Sequence, residues 1–201
     1  MKAVNNYAIQ LAQAKKHFLT YDQQELISRC NLCYDEQYFY VKLLSRDYRI
    51  CRQNGDMEHK TENGWQDGNS FGEVMVLLDW LCDSKKDRCI SGEFVNIVTQ
   101  GPYFHRNLQE DGEDADAAFF DRNPDAFRAA CERLGGKRMA GADMSYAIEL
   151  MDGLQILVQF WHADEEFSAR LRFLWDKNVL SYIRYETSWY AIGLLIRELR
   201  K

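Results

Sequence analysis

Apolar positions near the start of the chain fall at Val4, Tyr7, Ala8, Leu11 and Phe18, a near-helical spacing that predicts an opening helix over Val4–Phe18. A second, shorter helix is expected from Asp22 to Arg29, with the Asp22 side chain placed to cap it. The pattern then turns to aromatic and β-branched residues over Tyr38–Leu44 and Tyr48–Cys51; with Ser45–Asp47 between them these read as a hairpin, and Asn54-Gly55 marks the next turn. Ser70 can cap a helix carrying Phe71, Val74, Met75, Leu77, Leu78 and Leu81, a broad apolar face of the kind that packs on a sheet. Gly92–Thr99 reads as a short extended segment ending in a Gly101-Pro102 turn, and the acidic stretch Glu110–Asp116 reads as a loop or poorly covered surface. Pro124 and Gly135-Gly136 bracket a helix over Asp125–Leu134, with Phe127, Ala130, Cys131 and Leu134 inward.

The last third is the most regular. Ser145–Met151 and Leu154–Trp161 flank Asp152-Gly153, a dipeptide whose tolerance of positive φ suits a two-residue hairpin turn. Phe167–Trp175 adds a third strand with Leu171, Phe173 and Trp175 on one face, which makes an antiparallel meander. A final helix over Glu186–Leu199 carries Trp189, Ile192, Leu195, Ile196 and Leu199. Helices at both ends and in the middle, with strands grouped in hairpins, predict an α+β fold: an antiparallel sheet built from hairpins and the C-terminal meander, packed by those helices. No repeat, low-complexity segment or linker interrupts the pattern, so one domain over residues 1–201 is expected.

Composition narrows the function classes. Hydrophobic residues make up 46%, charged residues 28% and aromatic residues 13%, as in a chain that folds on its own. The net charge is -6, and the lysine pairs Lys15/Lys16 and Lys85/Lys86 are short and far apart; neither nucleic acid nor a membrane is an expected partner. The N-terminal segment lacks the apolar run of a signal peptide and no stretch reaches the length of a membrane helix, which points to a cytoplasmic protein. The 6 cysteines are then expected as free thiols.

Several short motifs go together. Leu134-Gly135-Gly136, Gly141-Ala142-Asp143-Met144-Ser145, Trp161 through Glu165-Glu166-Phe167, and Phe173-Leu174-Trp175-Asp176, with Tyr182 and Glu186 downstream and Gly92-Glu93-Phe94-Val95 upstream, resemble the family known as domain of unknown function 3786. The resemblance implies no activity. It implies an anaerobic setting, since that family occurs mainly in anaerobic bacteria and archaea and some members carry an added iron-sulfur domain; this chain has no four-cysteine segment of that kind. Relatives often place a proline where Met151-Asp152-Gly153 stands here, a departure that touches the hairpin and no site.

The densest chemistry lies at His162 with Asp164, Glu165 and Glu166. If the strand continues through Asp164, then His162 and Asp164 share a face, as divalent-metal or acid–base work requires, with Glu166 next in step and Asp143 and Asp176 able to complete a carboxylate set. The structural alternative is a solvated corner in which one carboxylate caps the turn and Phe167 anchors it in the core. Cys30-x-x-Cys33 ends a helix rather than starting one, so the helix dipole opposes a thiolate; incidental thiols come first, then a zinc site borrowing Cys82 or Cys89, and redox chemistry last. The acidic run lacks the glycine and glutamate positions of an EF-hand. Gly135-Gly136-Lys137-Arg138 follows a helix where a phosphate loop would precede one, and His17 and His105 stand alone. Trp161, Trp175 and Trp189 form either core or the wall of a pocket.

These features predict a non-catalytic domain that binds a small molecule or a protein partner in anaerobic metabolism, with no cofactor named. The alternative is a metal-dependent enzyme using His162, Asp164 and Glu166. A homo-oligomer is a third possibility, through an exposed apolar face on the helix from Ser70 to Leu81.

Overall fold

Capping residues set most of the helix boundaries that the sequence announces. The structure, a computed structural model, describes residues 6–99 and 110–201, and the backbone alone at 110–114. The expected Gly101-Pro102 turn and His105 lie outside the described residues. The fold is α+β with two five-stranded antiparallel sheets. Its backbone contacts cluster into two compact units, Met1–Arg88 with Ser181–Ala191, and Cys89–Leu180 with Ile192–Lys201.

In the first unit α1 (Asn6–Phe18) is followed by α2 (Gln23–Cys30), whose first turn is capped by Asp22 accepting the Glu25 amide at 2.9 Å. Asn31, at φ 48, ends α2 in the left-handed region that favours Asn and Gly. Strands β1 (Cys33–Tyr34), β2 (Tyr38–Leu43), β3 (Arg46–Cys51), β4 (Met57–Thr61) and β5 (Gly64–Gln66) pair in chain order. Phe39, Leu43, Tyr48 and Ile50 are buried along the alternating positions, and the Phe18 ring meets Phe39 at 6.2 Å. The β2–β3 hairpin turns on Leu44 and Ser45 (φ 47 and 63), tighter than the expected Ser45–Asp47. Neither residue is one that normally signals positive φ, which is why the sequence misplaced the turn.

α3 (Phe71–Asp83) starts at Ser70 with a full capping box, the Ser70 and Glu73 side chains each bonding the other residue's backbone amide. Val74, Val76, Leu77, Leu78, Trp80 and Leu81 are all buried. The exposed apolar face considered for self-association on this helix is therefore core instead.

The second unit opens with β6 (Phe94–Val95) and a short 3-10 turn at Ile97–Thr99. The stretch read as an acidic loop is helical, forming the first turns of α4 (Glu110–Arg122). Ala117 and Phe120 are fully buried three residues apart, and Arg200 pairs with Asp116 at 3.1 Å. Proline in the first turn starts α5 (Pro124–Arg133). After it, a Cβ on Gly136 would lie 2.7 Å from the Cys131 carbonyl oxygen, so only glycine allows the chain to pass there.

Strands β7 (Lys137–Arg138), β8 (Met144–Met151), β9 (Leu154–Trp161) and β10 (Arg170–Asp176) complete a sheet of order β6-β10-β9-β8-β7. The β8–β9 turn uses Asp152 and Gly153 at φ 51 and 77, as the dipeptide predicts. Phe127 of α5 packs on Phe120 (5.1 Å), Phe160 (5.4 Å) and Tyr146 (6.2 Å), with Ile148, Val158, Leu171, Phe173 and Trp175 buried along the sheet. α6 (Tyr185–Leu199) supplies residues to both units. Among the described residues no helix is long and apolar enough to cross a membrane.

Candidate functional site

The corner after β9 gathers some of the expected residues and one that was not expected. The Asp143 carboxylate accepts the His162 backbone amide at 2.8 Å, which ties the β7–β8 connection to the end of β9. His162 Nδ1 lies 2.8 Å from Asp121 Oδ1, at the end of α4, and the Ala163 amide donates to the same oxygen at 3.3 Å. An ionised carboxylate only accepts, so Nδ1 carries the proton in this contact. The hydrogen bond from His162, reinforced by the Ala163 amide, holds the Asp121 carboxyl below the usual carboxylate range. The imidazole is 42% exposed and stands edge-on to Phe160 at 4.9 Å.

Asp164 does something else. Its Oδ1 accepts the amides of Glu166 (2.8 Å) and Phe167 (2.7 Å), while its own amide donates to the Phe167 carbonyl at 2.9 Å. This is a self-contained Asx turn, the capping alternative weighed above. Glu165 and Glu166 are exposed around it. Phe167, expected to anchor the turn in the core, is 69% exposed, because β10 begins only at Arg170. Asp164→Ala is expected to lower stability by about 1 kcal/mol or less, measured by urea unfolding, since the turn is solvated on all sides.

Asp176 sits at the far end of β10, roughly 20 Å from the Arg170–Trp161 pair at the site end. Its buried carboxylate accepts the amides of Ser91 (3.0 Å), Gly92 (2.9 Å) and Asn178 (2.9 Å), which pins the entry to β6. Trp161 and Trp175 occupy opposite faces of the sheet in this register and do not wall one pocket. Cys30 is buried beside Ser84 (3.7 Å) whereas Cys33 is exposed, and Cys82 and Cys89 are free thiols, buried and exposed respectively. Burial, helped by Asp83 and Asp79, pushes the Cys82 thiol up to about 12. Among the described residues no group of three or more His, Cys, Asp or Glu side chains is placed to hold a metal ion.

A cavity of about 260 Å³ lies within the first unit. Gln10, Gln13, Ala14 and His17 of α1 line it together with Met75, Leu78, Asp79, Cys82 and Asp83 of α3, and Arg184. Asp79 and Asp83 are one helical turn apart on the same face of α3. The Asp79 side chain is only 6% exposed, accepts the Thr187 hydroxyl, and lies 3.5 Å from Arg184 Nε. Arg184 Nη2 donates to Asp83 at 2.6 Å, and His17 Nε2 stands 3.9 Å from that carboxylate. Burial pushes the Asp79 carboxyl up, more than its contacts with Thr187 and Arg184 pull it down, and Asp83 adds to the rise.

A family model described as domain of unknown function (DUF3786) matches residues 22–198. The chain belongs to that family. No curated protein and no solved structure matches it. Seen on the DUF3786 fold, Asp143 fastens the end of β9, Glu165 and Glu166 surround a solvated turn, and Asp176 secures β6. Sequence reasoning on this DUF3786 chain missed Asp121, which stands beyond the acidic run Glu110–Asp116 after two aromatic residues, and the Asp79/Asp83/Arg184 group. A signal existed for the latter: in Leu77-Leu78-Asp79-Trp80-Leu81-Cys82-Asp83 two carboxylates recur at helical spacing on an otherwise apolar helix, where ionisable groups are rarely buried without a reason.

Asp79 also gives a pH dependence with a defined sign. A carboxyl raised on folding stabilises the fold fully below its unfolded pKa, and that contribution is lost as pH rises from there through the raised folded pKa. Asp79→Asn is expected to remove this fall, so the melting temperature of the variant relative to the parent should climb across that window and level off above it. Parallel melting profiles of the two proteins would count against the assignment.

Proposed function

We propose that this DUF3786 domain is a cytoplasmic small-molecule-binding domain whose ligand occupies the cavity between α1 and α3. The observation that carries the reading is a buried, incompletely compensated carboxylate, Asp79, facing a concave space beside a half-exposed guanidinium. Binding sites commonly combine apolar walls, here Ala14, Met75 and Leu78, with a few convergent polar groups. Perturbed titratable groups in a cleft add to that support. The free cysteines agree with a reducing compartment. The test is ligand-observed NMR with a fragment set spanning amines, acids and neutral aromatics, run on the parent and on Ala14→Trp, whose indole fills the cavity. Fragments that bind the parent and are lost in the variant support the reading; binding indifferent to Ala14→Trp, or none, removes it.

A second reading, acid–base catalysis, is favoured by one contact, the Asp121–His162 pair that fixes the imidazole tautomer and leaves Nε2 available. It departs from a metal site at His162, Asp164 and Glu166, since the imidazole turns to Asp121 and Asp164 Oδ1 to two backbone amides. Loss of a measured turnover in His162→Gln with an unchanged melting temperature would support it; an activity unaffected by that change would end it.

A further inference from the structure

Charge balance in the α1–α3 cavity points to the class of ligand. Two carboxylates, Asp79 and Asp83, are fixed on α3, whereas among the described residues a single arginine or lysine, Arg184, lines the cavity; it is 51% exposed and reaches Asp83 at 2.6 Å and Asp79 at 3.5 Å. Its Nε reaches Asp79 only at 3.5 Å while Nη2 bonds Asp83, so one half-exposed positive charge is shared between two carboxylates. The side amides of Gln10 and Gln13 on the opposite wall offer carbonyl oxygens to further donors, and Ala14, Met75 and Leu78 offer carbon surface. An anion entering this space would meet two carboxylates. Burial raises the Tyr21 phenol and the Cys82 thiol; Asp83 adds to both rises and Asp79 to that of the thiol, while Arg29 and Arg184 oppose it in both.

Resting on the reading of this cavity as a ligand site, we propose that its ligand is a small organic amine. The ammonium group takes the place beside Asp79 and Asp83 that Arg184 holds, the carbon chain lies against Ala14, Met75 and Leu78, and Arg184 turns out to water. An exposed arginine gives up a hydrated surface contact at little cost, while the ligand supplies a cation closer to the buried carboxylate. No bond is made or broken, and the exchange is one cation for another.

The test is isothermal titration of the full chain with butylamine, with butyrate and butanol as size-matched controls, on the parent, Asp83→Asn, Arg184→Ala and Ala14→Trp. Circular dichroism confirms that each variant is folded, and Arg184→Gln replaces the alanine variant if that one is not. Butylamine is expected to bind in preference to both controls, about tenfold more weakly in Asp83→Asn and several-fold more tightly in Arg184→Ala, with binding lost in Ala14→Trp. Preference for butyrate, or weaker amine binding in Arg184→Ala, overturns the amine assignment while sensitivity to Ala14→Trp leaves the cavity as the ligand site. If none of the three probes binds in a way that Ala14→Trp abolishes, both the amine assignment and the cavity reading fall.

Discussion

Glu73→Ala is expected to lower the unfolding free energy by about 2–4 kcal/mol, the largest effect of any single polar side chain described above. Its carboxylate is almost wholly buried and accepts the Tyr48 hydroxyl at 2.7 Å and both the amide and the hydroxyl of Ser70 at 2.6 Å, with Arg46 at 3.4 Å. Burial, with the hydrogen bond to Glu73 next, raises the Tyr48 phenol, so it stays a neutral donor that needs this acceptor. Removing the carboxylate strands that hydroxyl in the core, at about 1–3 kcal/mol, and breaks half of the capping box, at about 1 kcal/mol. Urea unfolding followed by circular dichroism measures the loss. Glu73→Gln, which keeps an acceptor oxygen, should lose roughly half as much, and equal losses in the two variants would show that charge rather than acceptor geometry holds α3 to the sheet.

Asp176→Ala follows, with a somewhat smaller expected loss of about 2–3 kcal/mol. Three backbone amides, from Ser91, Gly92 and Asn178, converge on a side chain that is itself buried at the end of β10. Water can reach part of the Ser91–Gly92 segment, which keeps the figure below that for a fully enclosed charge. The loss should be local first, because β6 pairs with β10 only through Val95–Trp175 and Phe94–Asp176. Hydrogen exchange at Ser91–Val95 is therefore expected to accelerate well before the rest of the sheet. Uniform acceleration across β8, β9 and β10 would mean that Asp176 supports the whole sheet instead.

Most helices and the C-terminal meander were legible because their boundaries are written in local chemistry. Asp22, Ser70 and Pro124 start helices in the sequence and in the structure, and Asp152-Gly153 makes the turn its φ preferences require. What escaped the sequence lacks such marks. β4 and β5 are short and largely polar, and their pairing is decided by neighbouring strands rather than by their own pattern. α4 was concealed by its acidic first turns, although Ala117 and Phe120 already stood at helical spacing. Of the candidate site, His162 and Asp143 do meet, yet through the His162 backbone, and Asp121 joins from the last turn of a helix whose start, Glu110–Asp116, reads as loop in the sequence. Asp164 and Asp176, read as members of a carboxylate site, each accept backbone amides and serve backbone geometry. The cavity required packing α1 against α3, which one chain's periodicity does not specify.

The central claim, that ligand binding resides between α1 and α3, is tested most directly by a chemical-shift map. Backbone and side-chain resonances of the isotope-labelled chain would be followed during titration with the fragments that bind it. The account predicts that the shifts cluster at Gln10, Gln13, His17, Asp79, Cys82 and Arg184. Shifts clustered instead at Asp121, Asp143 and His162 would contradict it.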